Sequence, residues 1–175
     1  TLFAVALKSI FKITGPAIDN YYDVIVQSIL KAFQTSPKSN FSLLLSLSHL
    51  FFFFEHSNKQ KEWMLQNFSD LDNFLLNYCI QNRDKDIIMK WIEILNKVFE
   101  IYRDFFFSLP ELENLIQFFL TVFAESEEYH FLRSVGLFLG FLIGTKETIH
   151  HPTIAKYVPQ IFKLCLVKML SFDGY

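Results

Sequence analysis

From residue 86 to residue 107 the chain reads DIIMKWIEILNKVFEIYRDFFF, and its apolar positions follow a three-four rhythm. Ile88, Trp91, Ile92, Leu95, Val98, Phe99, Tyr102 and Phe106 share one helical face. Lys90, Glu93, Lys97, Glu100 and Asp104 form the opposite stripe, with signs that permit ion pairs along it. AIDNYYDVIVQSILKAF has the same form. There Ile18, Tyr22, Ile25, Ile29 and Ala32 face inward, and Asp19, Asp23, Gln27 and Lys31 face outward. Two-residue alternation is almost absent, so the pattern predicts helices and no sheet.

Breaks separate the helical segments: Gly15-Pro16, Ser36-Pro37, Ser57-Asn58-Lys59, Gln81-Asn82-Arg83, Ser108-Leu109-Pro110, Glu125-Ser126-Glu127 and His150-His151-Pro152. Pro16, Pro37, Pro110 and Pro152 each sit where a helix should begin, since proline's missing N–H has no partner in a first turn anyway. The prediction is about eight antiparallel helices, over 2–14, 16–35, 38–56, 60–81, 84–107, 110–124, 127–144 and 152–172, joined by short connections. Alternate breaks mark a longer period. Helices opening near Pro16, Lys61, Pro110 and Pro152 start roughly 45, 49 and 42 residues apart, as in two-helix HEAT or armadillo repeats. Residue identity between these units is poor, so a compact helical bundle stands beside the repeat reading.

Two segments raise the question of a membrane. NFSLLLSLSHLFFFFEH has an apolar run shorter than the roughly 20 residues a spanning helix needs. Ser39, Ser42, Ser46 and His49 fall on one face, so residues 41–54 read as a helix covered by protein on several sides. In SVGLFLGFLIG, Gly136, Gly140 and Gly144 form overlapping GxxxG patterns, but Arg133, Lys146 and Glu147 bound the run. That spacing predicts a glycine face for close helix packing instead.

Composition narrows the function classes. The 175 residues are 51% hydrophobic and include 22 phenylalanines, with only five glycines and five prolines, which leaves little turn material for a many-stranded sandwich. A net charge of −2 lacks the basic excess of a nucleic-acid domain. Phe51 to Phe54, Phe105 to Phe107 and Phe118-Phe119 have no interleaved basic residues, so they read as core and not as base-stacking platforms. Cys79 and Cys165 are far apart, with no CxxC spacing, and point to a reduced intracellular protein. The chain begins at Thr1 in mid-pattern, as a piece of a longer polypeptide would.

No catalytic motif stands out. His150-His151 before Pro152 reads as a loop and helix cap, because no further His or Cys lies near to complete a metal site. The carboxylates Asp84 and Asp86, Glu111 and Glu113, and Glu125, Glu127 and Glu128 sit at or near helix starts, where the dipole favours them. There is neither a GxSxG serine nor a Gly-rich phosphate loop. The expectation is a chain without enzymatic activity, catalytic residues, cofactor or metal.

Three passages carry a family resemblance. AFQTSPKSNFSLLLSLSHLFFFFE closes one helix on an aromatic and opens a serine-started apolar helix. DIIMKWIEILNKVFEIYRDFFFSLPELENLIQFFLTVF is a long helix, an aromatic-rich turn and a following helix. YHFLRSVGLFLGFLIG places Ser134, Val135, Phe138, Leu139, Leu142 and Ile143 in a further matching helix. Over roughly 32–144 this order resembles the C-terminal half of nuclear transport receptors of the importin-beta superfamily, and within it the transportin-SR branch.

The resemblance implies an all-α solenoid of HEAT-type hairpins that carries protein cargo through nuclear pores under control of the GTPase Ran. It implies shuttling between cytoplasm and nucleus, contact with nucleoporins, and Ran binding mainly outside this segment. By the same resemblance, the stripe Lys90, Glu93, Lys97, Glu100 and Asp104 would lie on an inner, cargo-facing helix. Arg83, Arg103 and Arg133 are scattered, so recognition of phosphorylated Arg-Ser tracts is not carried over. A different HEAT or armadillo scaffold, of trafficking or phosphatase-adaptor type, is the alternative. Neither reading calls for a nucleic-acid or membrane partner.

Overall fold

The computed structural model describes residues 20–35 and 58–172, together with positions 6, 9, 10 and 13. The expected helices 2–14 and 38–56, including the phenylalanine run 51–54, otherwise lie outside the described residues. Among those described, regular structure is entirely helical: α1 (Tyr22–Thr35), α2 (Asn58–Asn82), α3 (Lys85–Ile101), α4 (Arg103–Phe107), α5 (Leu112–Glu125), α6 (Tyr129–Ile143), α7 (Lys146–Ile149) and α8 (Pro152–Phe172). None of the described helices is long and apolar enough to cross a membrane.

The chain divides into two compact units, Thr1–Phe106 and Phe107–Tyr175. In the first, α1 packs on α2 and α2 packs on α3. Among the described side chains of α1, Val26 and Ile29 are buried, and Val26 is one that the sequence pattern did not single out. The connection from α2 to α3 is only two residues long. Arg83 takes a left-handed φ of 53° there, and its N–H bonds to Cys79 O at 3.0 Å, closing the last turn of α2. Asp84 then caps α3, its carboxylate accepting from Asp86 N at 3.1 Å and Ile87 N at 3.2 Å.

The apolar face of α3 is buried as its spacing requires, with Trp91, Leu95, Val98 and Phe99 at most 5% exposed. The single helix expected over 84–107 is interrupted, however. Tyr102 leaves helical geometry (φ −125°, ψ 50°), and α4 starts at Arg103. The break lets Phe106 pack edge-on against Phe99 at 5.3 Å and Phe105 meet Phe68 at 6.2 Å.

In the second unit α5 and α6 form an antiparallel hairpin. Phe119 lies 4.8 Å from Phe138, and a Cβ placed on Gly136 would sit 3.3 Å from the Phe123 ring. Close helix approach is therefore real at Gly136. It does not extend to Gly140, where a Cβ would meet nothing within 4 Å, and Gly144 serves as the C-cap of α6. The expected glycine face reduces to one position. The short α7, unforeseen in the sequence, starts with a capping box between Thr145 and Thr148. It turns the chain into α8, which packs against α5, α6 and α7.

Candidate functional site

The charged stripe on α3 is only half a surface feature. Lys90 pairs with Glu93 at 2.6 Å and Lys97 with Glu100 at 3.4 Å, each one helical turn apart. The lysine stems lie along the helix, 23% and 16% exposed, whereas Glu93 and Glu100 are 43% and 72% exposed. Asp104 is exposed on α4, beyond the Tyr102 break, and so does not continue the stripe on the same helix. What reaches solvent on α3 is Glu93 and Glu100, each paired with a lysine lying closer to the helix, while Asp104 is a separate exposed acid on α4 beside the exposed Arg103.

The other carboxylates do less capping than their positions suggest. Asp84 caps through its side chain, but Glu111 and Glu128, at the N-cap positions of α5 and α6, make no side-chain cap hydrogen bond. Glu113 reaches across to α8. It pairs with Lys156 and accepts the Tyr157 hydroxyl at 2.8 Å, and that hydroxyl in turn accepts from Gln117 Nε2 at 2.7 Å. These contacts hold the Glu113 carboxyl below its usual range, through the Lys156 hydrogen bond first and the Tyr157 bond second. At the far end of the same helices, Lys168 Nζ donates to Ser126 O at 2.7 Å.

These bonds determine how α5 and α8 run. Their partners are separated in sequence by 43, 44, 40 and 42 residues along the whole length of contact. A near-constant offset means that the two helices lie parallel and in step. Between them a shallow groove of about 480 Å³ has Leu120, Ala124, Leu164 and Val167 as its apolar lining. The sequence had marked Glu113 only as an acid at a helix start and had not drawn attention to Gln117, Lys156 or Tyr157, although aligning the chain with itself at a shift of about 42 would place them side by side.

The described histidines stand apart from any metal-binding cluster. His151 supplies the carbonyl that accepts Ala155 N at 2.8 Å at the start of α8, while its ring stacks on Phe107 at 4.8 Å. Its Nδ1 is buried without a hydrogen-bond partner among the described residues. No three His, Cys, Asp or Glu side chains converge in metal-binding geometry among those residues. Cys79 is buried on α2, and burial, aided by the carboxylates of Asp84 and Asp72, pushes its thiol up to about 12. A thiol at that value is a packing group and a poor nucleophile.

No protein-family model, curated protein or solved structure matches the chain.

Proposed function

We propose that this chain is a protein-binding scaffold segment, an all-α solenoid of HEAT-type hairpins belonging to a nuclear transport receptor. One observation carries the solenoid reading: the parallel, in-step packing of α5 and α8 at offsets of 40 to 44 residues. Stacked two-helix repeats place equivalent helices in this way, with the intervening antiparallel helix, here α6, forming the other layer. The offset agrees with the spacing of roughly 42 residues between Pro110 and Pro152.

The transport role rests on the resemblance over roughly 32–144. In that role protein cargo meets the exposed acids of α3 and α4, Ran engages the polypeptide outside this segment, and the receptor shuttles between cytoplasm and nucleus. Such a surface selects partners by electrostatic complementarity, each exposed charge contributing about 0.2–1 kcal/mol.

Reversing Glu93, Glu100 and Asp104 together in the intact polypeptide tests this reading. Pulldowns with and without Ran-GTP should lose at least one partner whose binding Ran-GTP controls. Unchanged binding of every such partner would remove these acids from the cargo site. A complete lack of Ran-sensitive partners would leave a scaffold of another kind.

A further inference from the structure

The groove between α5 and α8 lies wholly within the second unit, with one helix as each wall. None of its lining comes from α6, so it opens on the side of the pair away from that helix. A helix stacked on the far side of α8 would not fill it. The in-step packing divides the groove into levels. Gln117 stands across from Gln160, Leu120 from Leu164 and Ala124 from Val167, at offsets of 43, 44 and 43 residues. The first level sets amide against amide, and the next two are apolar. Successive levels are about 4.5–6 Å apart along the helices.

The two amides define the class of ligand. Gln117 uses one N–H on the Tyr157 hydroxyl, which leaves its Oε1 and second N–H. Gln160 makes no side-chain hydrogen bond among the described residues. An amide offers the same donor and acceptor as a peptide group. In an extended strand the N–H and C=O of one residue point to one side, and those of the next residue to the other. A strand laid along the groove therefore presents successive residues to Gln117 and Gln160 in turn. Its alternate side chains, about 6.7 Å apart, fall near the two apolar levels. A helix would leave both amides unused, because its backbone groups are bonded internally.

Charge adds a second constraint. Lys163 stands on the α8 wall beside the Leu120 level, and Glu125 on the α5 wall beside the Ala124 level. We propose that this groove binds an extended peptide segment of a partner protein. Its backbone is held at Gln117 and Gln160, its alternate residues are apolar, and between them it carries an acid for Lys163 and a base for Glu125. Backbone hydrogen bonds hold the strand, and the apolar levels select its sequence. The site lies apart from Glu93, Glu100 and Asp104, which belong to the first unit, and goes beyond the cargo role proposed for them.

The probe is a fluorescent, end-capped peptide of about eight residues in which valines alternate with glutamate and lysine. The 175-residue chain is titrated into it and followed by anisotropy. Binding should saturate below about 0.5 mM. Gln160→Ala should weaken it about fivefold and Lys163→Glu about threefold, while Val167→Asp should abolish it. A peptide of the same sequence, N-methylated at alternate backbone positions, should not bind. All three substituted side chains are exposed, so circular dichroism of the variants should match the parent chain. Failure to saturate would overturn the proposal, as would equal binding of the N-methylated peptide or indifference to Gln160→Ala. Tighter binding of a helical peptide of the same composition would overturn it too, and so would a Val167-dependent dimer that binds no peptide. Neither peptide nor variants touch Glu93, Glu100 or Asp104, so this proposal and the transport reading fail separately.

Discussion

The indole N–H of Trp91 donates to Asp72 Oδ1 at 2.8 Å, joining α3 to α2 through two side chains that are both fully buried. Buried polar groups cost least when each has its partner, and this pair also sets which faces of α2 and α3 meet. Asp72→Ala should therefore destabilise the first unit by about 1–3 kcal/mol, since the indole N–H is left unsatisfied. Asp72→Asn keeps an acceptor at that place and should cost less. Urea denaturation of the two variants checks the order. Equal losses would assign the effect to the carboxylate charge, because asparagine keeps both the volume and the acceptor.

Gly140→Ala should stabilise the chain by about 0.5–1 kcal/mol, because alanine restricts the unfolded chain and its methyl group meets open space. Gly136→Ala adds the same helix propensity but sets a methyl 3.3 Å from the Phe123 ring, so it should be less stable than Gly140→Ala. Thermal melts of the two single variants, read side by side, measure the difference.

The Glu113 pair makes stability pH-dependent in a stated direction. Its folded-state carboxyl lies below the ordinary value of 4.5, so its contribution is present above 4.5 and disappears as pH falls through the lower folded value. Lys156 is shifted upward from 10.5, by its hydrogen bond to Glu113 first, so its contribution is complete below 10.5 and fades above its folded value. Glu113→Gln should be less stable than the parent chain at neutral pH and converge with it in acid below the ordinary glutamate value. A stability gap that stays constant through the acid range would assign the effect to packing.

Cys79 should be silent toward thiol reagents in the folded chain. Its pKa of about 12, set mainly by burial, leaves almost no thiolate near pH 8. Cys165 is only half-buried and, though burial raises its pKa too, should react first. A dithionitrobenzoate titration should count one thiol before denaturant and two after it.

Local patterning carried much of the helical architecture. The three-four rhythm around Trp91 and Leu95 identified the buried face of α3, because burial on one side of a helix imposes a period that survives in the sequence. Of the prolines, Pro152, with no N–H to offer, opens α8 where its helix was expected, whereas Pro110 precedes the N-cap of α5 and Pro16 and Pro37 lie outside the described residues. The break at Tyr102 was not legible, since its residue fits the apolar face of a continuous helix and only the packing of Phe105 and Phe106 requires the chain to leave it. Likewise Gly136 and Gly140 look equivalent in a GxxxG pattern, and only the position of Phe123 makes one of them a contact.

The same division applies to the candidate surfaces. The sequence by itself determined that Lys90, Glu93, Lys97 and Glu100 share a helical face, because helical geometry alone sets that spacing. Tertiary structure decided that the lysines lie half-buried while the carboxylates stand out, and that Asp104 belongs to a different helix. It also decided the pairing of Glu113 with Lys156 and Tyr157, some 43 residues away, which no local period encodes. Such contacts depend on how one helix is stepped against another, and that step is set by the fit of apolar side chains between helices distant in sequence.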